Sequence, residues 1–247
     1  MDELDNTIHE LEIPSVGARN WWLETFGGAA ARVPWSQFVN DFCHKFAIVV
    51  ESLTVEDVMA SQAAQCVTVT RYLRCFQALI TDRDSGEVVA EKFGEAVAWL
   101  GDIPQHARRI IVVAAKVLGQ RYFFGDITKE ESEMLLSGNP PGTFLVRFST
   151  TSLGGYTVSR VTGSSTISHT RLRHPCGSME YSHGKTVARS LPDLIEAIKD
   201  SLGLKFPCPG WPFSYLFNDT VRSEGYGYDD NDDNYDDDDD DDDDDMA

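Results

Sequence analysis

The sequence predicts an α+β chain: a helical half, then a helix–strand meander–helix sandwich, then a disordered acidic tail. Three observations predict it. Apolar residues recur at three- and four-residue spacing up to residue 118, and the pattern turns to strand-like alternation after Tyr122. The segment GTFLVRFSTT, residues 142–151, is apolar on both alternating faces, as in a central strand covered above and below. Residues 219–247 hold 16 acidic side chains against the single basic Arg222, too self-repulsive to pack.

Residues 1–19 read as a weakly ordered arm. Over 20–118, Trp35, Phe38, Phe42 and Phe46 form one helical stripe, and Val89, Phe93, Val97 and Leu100 another. Thr54 with Asp57 resembles a capping box opening a further helix. The charged turn TDRDSGE joins two helical stretches after Ile80. From 119 to 218 the elements shorten. Thr128 and Glu131 cap a helix that stops near Ser137-Gly138-Asn139-Pro140-Pro141. Strands follow at Thr143–Ser149, Tyr156–Val161 and Ser165–Leu172, separated by Gly154-Gly155 and Gly163-Ser164. Ser190 and Asp193 bracket the start of a last helix, Leu191–Leu202.

The 247 residues carry 40 acidic and 21 basic side chains, a formal charge of −19. Residues 219–247 contribute −15 of it, residues 1–116 contribute −6, and residues 117–218 sum to +2. Electrostatic binding to nucleic acid by the whole chain is therefore disfavoured and not expected, whereas a local basic pocket within 117–218 stays open. The five cysteines are scattered without a C-x-x-C pair, so neither zinc nor a disulfide framework is indicated. MDELDNTIHELE lacks the order of a signal peptide, and Ile110 to Ala115 is too short to span a bilayer. A reduced, cytoplasmic protein without membrane insertion is expected.

Arg147 sits in the middle of the apolar strand. A buried guanidinium costs several kcal/mol unless an anion meets it. No acidic residue occurs between Glu133 and Glu180, so an anionic ligand is the expected partner. Ser149, Thr150 and Thr151 offer hydroxyls and backbone N–H groups just past the strand, a cradle for phosphate oxygens. Lys129 opens the preceding helix, and His169 and Arg171 alternate onto one face of ISHTRL.

With YFFGDITKEESEMLL, GTFLVRFSTT, GGYTVSR, ISHTRL and SLPDLIEAI in this order, Tyr122–Leu216 resembles a Src-homology-2 (SH2) domain. That resemblance implies a central antiparallel sheet flanked by two helices, and binding of phosphotyrosine in peptides. It implies Arg147 on the pocket floor, bidentate to phosphate, with Lys129, Ser149, Thr150 and Thr151 around the phosphate and His169 and Arg171 flanking the phenol ring. The usual tryptophan at the start of the domain is Tyr122 or Phe123 here. Thr170 stands where many kinase-type members carry a tyrosine, so their peptide preference is not expected to carry over. PPGTFLVRFSTTS also resembles STAT-type SH2 domains.

WWLETFGG, VPWSQF and GEVVAEKFGEAVAWL resemble the EF-hand-like segment that packs on the SH2 domain in Cbl-type proteins. No four-helix bundle precedes it and no RING cysteines follow, so ubiquitin ligation is not expected. In TDRDSGEVVAEKF neither loop register supplies calcium ligands at the required positions; Asp82, Asp84 and Glu91 remain as an irregular candidate. The aromatic set Trp21, Trp22, Trp35, Phe38, Phe42 and Trp99 reads as core. Tyr226, Tyr228 and Tyr235 lie among tail acids and are candidates for phosphorylation and self-association. The reading is a non-enzymatic phosphotyrosine-binding adaptor without a cofactor, for no nucleophile–base constellation or nucleotide loop occurs. The alternatives are a calcium-responsive regulator and an acidic-tail binder of basic proteins.

Overall fold

The computed structural model describes residues 13–48, 62–101, 103, 106–149, 152, 154–175 and 180–217, with the backbone alone over 62–68. The Thr54–Asp57 pair and the tail lie outside the described residues.

Two helix–loop–helix units open the chain. The first runs α1 (Val16–Phe26), β1 (Arg32–Pro34) and α2 (Trp35–Lys45); the second runs α3 (Gln62–Ile80), β2 (Glu87–Val89) and α4 (Ala90–Leu100). Antiparallel pairing of β1 with β2 ties their loops together, with Val33 opposite Val88. Ser15 caps α1, its Oγ accepting from the Ala18 N–H at 3.0 Å. The arm expected over residues 1–19 therefore gives way to folded chain by Ile13. That residue is fully buried, and its carbonyl accepts from Arg19 Nε and Nη2 at 3.0 and 2.8 Å. Gly94 of α4 makes this approach possible, because a Cβ there would meet the Ile13 Cα at 2.9 Å.

Of the two helical stripes, Phe38, Phe42, Phe93, Val97 and Leu100 are buried and Trp35, Phe46 and Val89 only in part, Val89 ending β2 before its helix begins. Trp21, Trp22, Phe38, Phe42, Phe76 and Phe93 form a ring cluster, with Trp21 edge-on to Phe38 and Phe42 at 5.4 and 5.5 Å. Trp35 packs on its margin. α5 (Ala107–Leu118) then carries the chain to the second half.

There, α6 (Lys129–Leu136) and α7 (Leu191–Leu202) flank a four-stranded sheet of order β5-β4-β3-β8. Its strands are β3 (Thr143–Phe148), β4 (Tyr156–Val161), β5 (Ile167–Leu172) and the short parallel β8 (Phe206–Pro207); β6 (Tyr181–His183) and β7 (Thr186–Ala188) form a separate hairpin. All six β3 residues are buried. Phe144, Val146 and Phe148 enter the main core with Leu191, Leu194, Ile195 and Ile198 of α7. Leu145 packs on the opposite face with Leu136 of α6 and Val161.

Two strand ends differ from the sequence reading. β3 stops at Phe148 because the next pair is only half made: the Ser149 N–H still donates to the Gly155 carbonyl at 2.9 Å, but the Gly155 N–H turns away to the Ser152 carbonyl at 2.9 Å. β5 starts at Ile167 because Ser165 takes a left-handed conformation (φ 59°) in the preceding turn.

The halves share one continuous core. Trp99, last but one in α4, lies flat on Phe148 of β3, with centroids 3.7 Å apart and planes 9° from parallel. Its carbonyl accepts from Tyr156 Oη at 2.9 Å, and Trp211 Nε1 donates to the Leu118 carbonyl at 3.1 Å. Gly154 (φ 78°) sits so close to α4 that a Cβ would lie 2.9 Å from the Ala98 carbonyl oxygen.

Candidate functional site

Strand register decides which side chains meet. Arg147 lies opposite Thr157, and Thr157 opposite Arg171; Leu145 lies opposite Ser159, and Ser159 opposite His169. Alternation turns all six toward the α6 face. Leu145 is covered by Leu136, but at Arg147 the apolar cover ends and a depression of about 730 Å³ opens. Lys129, Arg147, Ser149, Thr157, His169 and Arg171 line it, so the structure brings five expected residues together. Thr150 and Thr151 lie outside the described residues.

Arg147 is 5% exposed. Its Nη1 donates to the Phe148 carbonyl at 3.1 Å, and its Nε has no hydrogen-bond partner. Among the described residues no carboxylate lies within 4.0 Å of it. Burial lowers its pKa, with Glu130 and Asp126 opposing from a distance. A guanidinium keeps its charge even so, and the result is a desolvated cation facing an opening.

A residue that the sequence reading did not single out organises the rim. Thr128 and Glu131 form the expected capping box, with Thr128 N–H to Glu131 Oε2 at 2.7 Å and Glu131 N–H to Thr128 Oγ1 at 3.1 Å. That fixed first turn sets Lys129 and Glu133 one turn apart, their Nζ and Oε1 atoms at 3.5 Å. The same Oε1 lies 3.0 Å from His169 Nε2, while His169 Nδ1 lies 2.8 Å from Ser159 Oγ. Ser159 continues to Ser132 Oγ at 3.4 Å, and Ser132 Oγ donates to the Lys129 carbonyl at 2.6 Å. The hydrogen bond from His169 is the first cause of Glu133's lowered pKa, with Lys129 adding to it and burial opposing. Lys129 and His169 are thus held in place through one carboxylate. The signal was the i, i+4 spacing of Lys129 and Glu133, but His169 is 36 residues away and only the fold joins it.

Arg173, Ser182, His183 and Gly184 complete the lining. They were also missed, because the β6–β7 hairpin that brings three of them in has no local motif.

The calcium candidates do not assemble. Asp82 Oδ1 accepts from the Ser85 N–H at 3.0 Å, the Asp84 N–H at 3.1 Å and Ser85 Oγ at 3.2 Å, and its Oδ2 lies 3.6 Å from Arg32 Nη1. The Ser85 N–H is the main reason its pKa is lowered. Lys92 Nζ donates to the Thr81 carbonyl at 3.1 Å. Among the described residues no group of three or more His, Cys, Asp or Glu side chains could hold a metal ion, so Asp84 and Glu91 do not join Asp82 in one. No described helix is long and apolar enough to cross a membrane.

Residues 122–197 match the SH2 domain family, and this stretch of the chain is an SH2 domain, a phosphotyrosine-binding module of signalling proteins. Over 223 residues the chain is 29% identical to the dual specificity protein kinase shkA of Dictyostelium discoideum, covering 87% of this chain and 42% of that protein. It is 27% identical over 204 residues to shkC of the same organism, covering 78% of this chain and 37% of that protein. Signal transducer and activator of transcription 4 of Mus musculus is 32% identical over 107 residues, 43% of this chain and 13% of that protein. The chain spans about two fifths of the length of the kinases it matches.

Proposed function

We propose that this protein is a non-enzymatic adaptor that binds tyrosine-phosphorylated proteins through the depression around Arg147. The observation that carries the reading is that buried guanidinium, open to the depression and without a carboxylate partner among the described residues. Phosphotyrosine brings nearly two negative charges and three acceptor oxygens on a long aryl stem, which suits a fork set deep below the rim. Lys129 and the hydroxyl of Ser149 take phosphate oxygens; His169 and Arg171 lie beside the ring. The two helix–loop–helix units act as an EF-hand-like buttress, a reading supported by the β1–β2 ribbon and by the stacking of Trp99 on Phe148.

Calorimetric titration of the full chain with phosphorylated and unphosphorylated forms of one peptide tests this. Binding should require the phosphate, and Arg147→Ala should cost about 2–5 kcal/mol. Equal binding of both forms, or an unchanged affinity in Arg147→Ala, overturns the reading. The likeness to dual specificity kinases supports a place in kinase signalling, with this chain as reader rather than catalyst. Transfer of labelled phosphate from Mg-ATP to a general substrate by the purified chain would overturn the non-enzymatic part. Tail phosphorylation at Tyr226, Tyr228 or Tyr235 would supply a ligand in cis or between molecules. Self-association that appears only after tyrosine phosphorylation, and vanishes in Arg147→Ala, is the expected sign.

A further inference from the structure

We infer that the outward sides of α3 and α5 form a docking surface for this chain's own acidic tail, the segment that follows Phe217. The surface is separate from the depression around Arg147 and does not depend on what that depression binds.

Charge singles out the two helices. α1, α2, α4, α6 and α7 each carry at least one aspartate or glutamate, whereas α3 and α5 carry none. α3 holds Arg71 and Arg74; α5 holds Arg108, Arg109 and Lys116, with Arg121 just past its end. α3 packs along α5, so the two acid-free helices lie side by side. Arg74, Arg108, Lys116 and Arg121 are exposed, and among the described residues no carboxylate lies within 4.0 Å of these four. Arg108 Nε and Nη2 donate to the Phe46 and Ala47 carbonyls, which holds the guanidinium at the surface without neutralising it. Arg108, Val112 and Lys116 follow at four-residue spacing and so share one side of α5. In a chain of formal charge −19, a basic helix pair without a local counter-charge attracts whatever acid the chain itself can bring to it.

The acid is tethered at this place. Phe217, the last described residue before the tail, lays its ring where a Cβ on Gly119 would meet it at 3.4 Å. Gly119 follows Lys116 by three residues, so it stands on the same side of the helix end. Trp211 stacks on Phe217 at 5.4 Å and donates from Nε1 to the Leu118 carbonyl at 3.1 Å, while the 3-10 turn Ser214–Leu216 packs on α3. The chain therefore leaves the fold beside both basic helices. Residues 219–247 then carry 16 acids against Arg222, ten of them consecutive from Asp236 to Asp245.

Length and side-chain reach agree. The stretch from Phe217 to Asp236 can span up to about 60 Å, whereas α5 is about 18 Å long. Ten extended aspartates cover about 33 Å, enough to meet Arg108 and Lys116 together. An aspartate carboxylate stands one carbon from the backbone and suits exposed cations, whereas Arg147 is 5% exposed on the floor of its depression. Tethering beside α5 also gives the tail its highest effective concentration near that helix.

The test is zero-length carbodiimide coupling of the full chain, which joins a lysine amine to a carboxylate in contact with it, followed by mass spectrometry of the tryptic fragment after Arg222. Each yield is divided by that lysine's reactivity toward an acetylating reagent. At about 0.01 M salt, where the Debye length is about 30 Å, the tail should couple to Lys116 roughly fivefold or more above Lys129 of the depression. At about 1 M salt, with a Debye length of about 3 Å, the excess should vanish. A mixture of isotope-labelled and unlabelled chains should give products within single chains. Arg74→Gln combined with Arg121→Gln should lower the Lys116 yield roughly threefold or more and leave its acetylation unchanged. Coupling chiefly to Lys129 overturns the proposal by placing the tail in the depression. Coupling spread over Lys45, Lys185 and Lys205 in step with their acetylation overturns it by showing no preferred face, and products chiefly between chains overturn docking in cis. Absence of a Lys116–tail product overturns it too; salt-sensitive sedimentation with vesicles of equal parts phosphatidylcholine and phosphatidylserine, lost in Lys116→Gln, would then make anionic lipid the occupant.

Discussion

Replacing Trp99 tests whether the helical half and the SH2 half are one cooperative body. The indole is 7% exposed and lies flat against Phe148 at 3.7 Å. A buried tryptophan removes about 150–250 Å² from water, and truncation to alanine in a core costs about 3–5 kcal/mol. That is a large share of the 5–15 kcal/mol by which domains are held folded. Phe148 is also where Arg147 Nη1 anchors, so loosening the stack loosens the cation's strand. Trp99→Ala should shift the whole urea transition of the full chain to lower concentration and weaken phosphopeptide binding, although Trp99 does not line the site. Trp99→Phe keeps a ring on Phe148 and should recover half or more of both losses. Far-UV circular dichroism and tryptophan fluorescence should report the same midpoint. Two separate transitions, with only the earlier one moved by Trp99→Ala and binding unchanged, would refute a shared core.

Glu133→Gln removes the carboxylate beside the phosphate position; it should tighten phosphopeptide binding about two- to fivefold at low salt, and the gain should shrink as screening increases. Because hydrogen bonding lowers the pKa of Glu133 in the fold, its share of stability is present above the unfolded value and is lost as pH falls through the lowered one; melting temperatures of wild type and Glu133→Gln should therefore differ most above the ordinary glutamate value of about 4.3 and approach each other as pH falls below it. His174 shows the opposite charge logic. It is 4% exposed and stacks on Tyr181 at 4.1 Å, with Nδ1 at 3.1 Å from the Glu180 carbonyl and Nε2 unpartnered, and burial is the main cause of its lowered pKa, with Arg109 adding to it. The neutral ring is favoured by folding, so stability is full above about pH 6.5 and falls as pH drops toward the lowered value; His174→Phe should flatten melting temperature against pH between 7.5 and 5. Gly154→Ala forces a side chain onto the Ala98 and His174 carbonyl oxygens, at 2.9 and 3.2 Å, from a left-handed backbone; it should cost about 1–3 kcal/mol and weaken binding by disturbing the neighbouring Gly155 carbonyl that accepts from the Ser149 N–H.

What the sequence made legible was local. The helix from Leu191 to Leu202, the capping box at Thr128 and Glu131, and the doubly apolar strand around Arg147 are each written in consecutive residues. Their physics, which is capping, periodicity and the cost of a buried cation, needs no tertiary knowledge. Glu133, Arg173 and His183 were illegible for the complementary reason. Each is an ordinary charge on a helix, strand or hairpin until β-register and the β6–β7 hairpin carry it to Arg147. Trp99 was legible as buried but not as to its partner, because the stack joins residues 49 apart in sequence. TDRDSGE, in which neither loop register offers calcium ligands, keeps its acids for the loop itself. Asp82 turns its carboxylate inward onto the loop's own N–H groups, and Lys92 bonds the loop's first carbonyl.

These contacts bear on how a buried cation can serve as a binding group at all. The desolvation cost of Arg147 is met when the chain folds, so an arriving phosphate gains its attraction without a second such cost, which is the advantage of a preorganised site. The cation is tolerable only if the rest of the strand is strongly held. β3 meets that need with Phe144, Val146 and Phe148 on the α7 face, Leu145 under α6, and the indole of Trp99 on Phe148. The helical units pack on the strand that carries the cation, and on the phosphotyrosine reading they support affinity through that strand. Mutations at their contact with β3 should therefore scale stability and affinity together, whereas mutations of Lys129 or Arg171, both at the solvent-facing rim, should change affinity with little effect on folding.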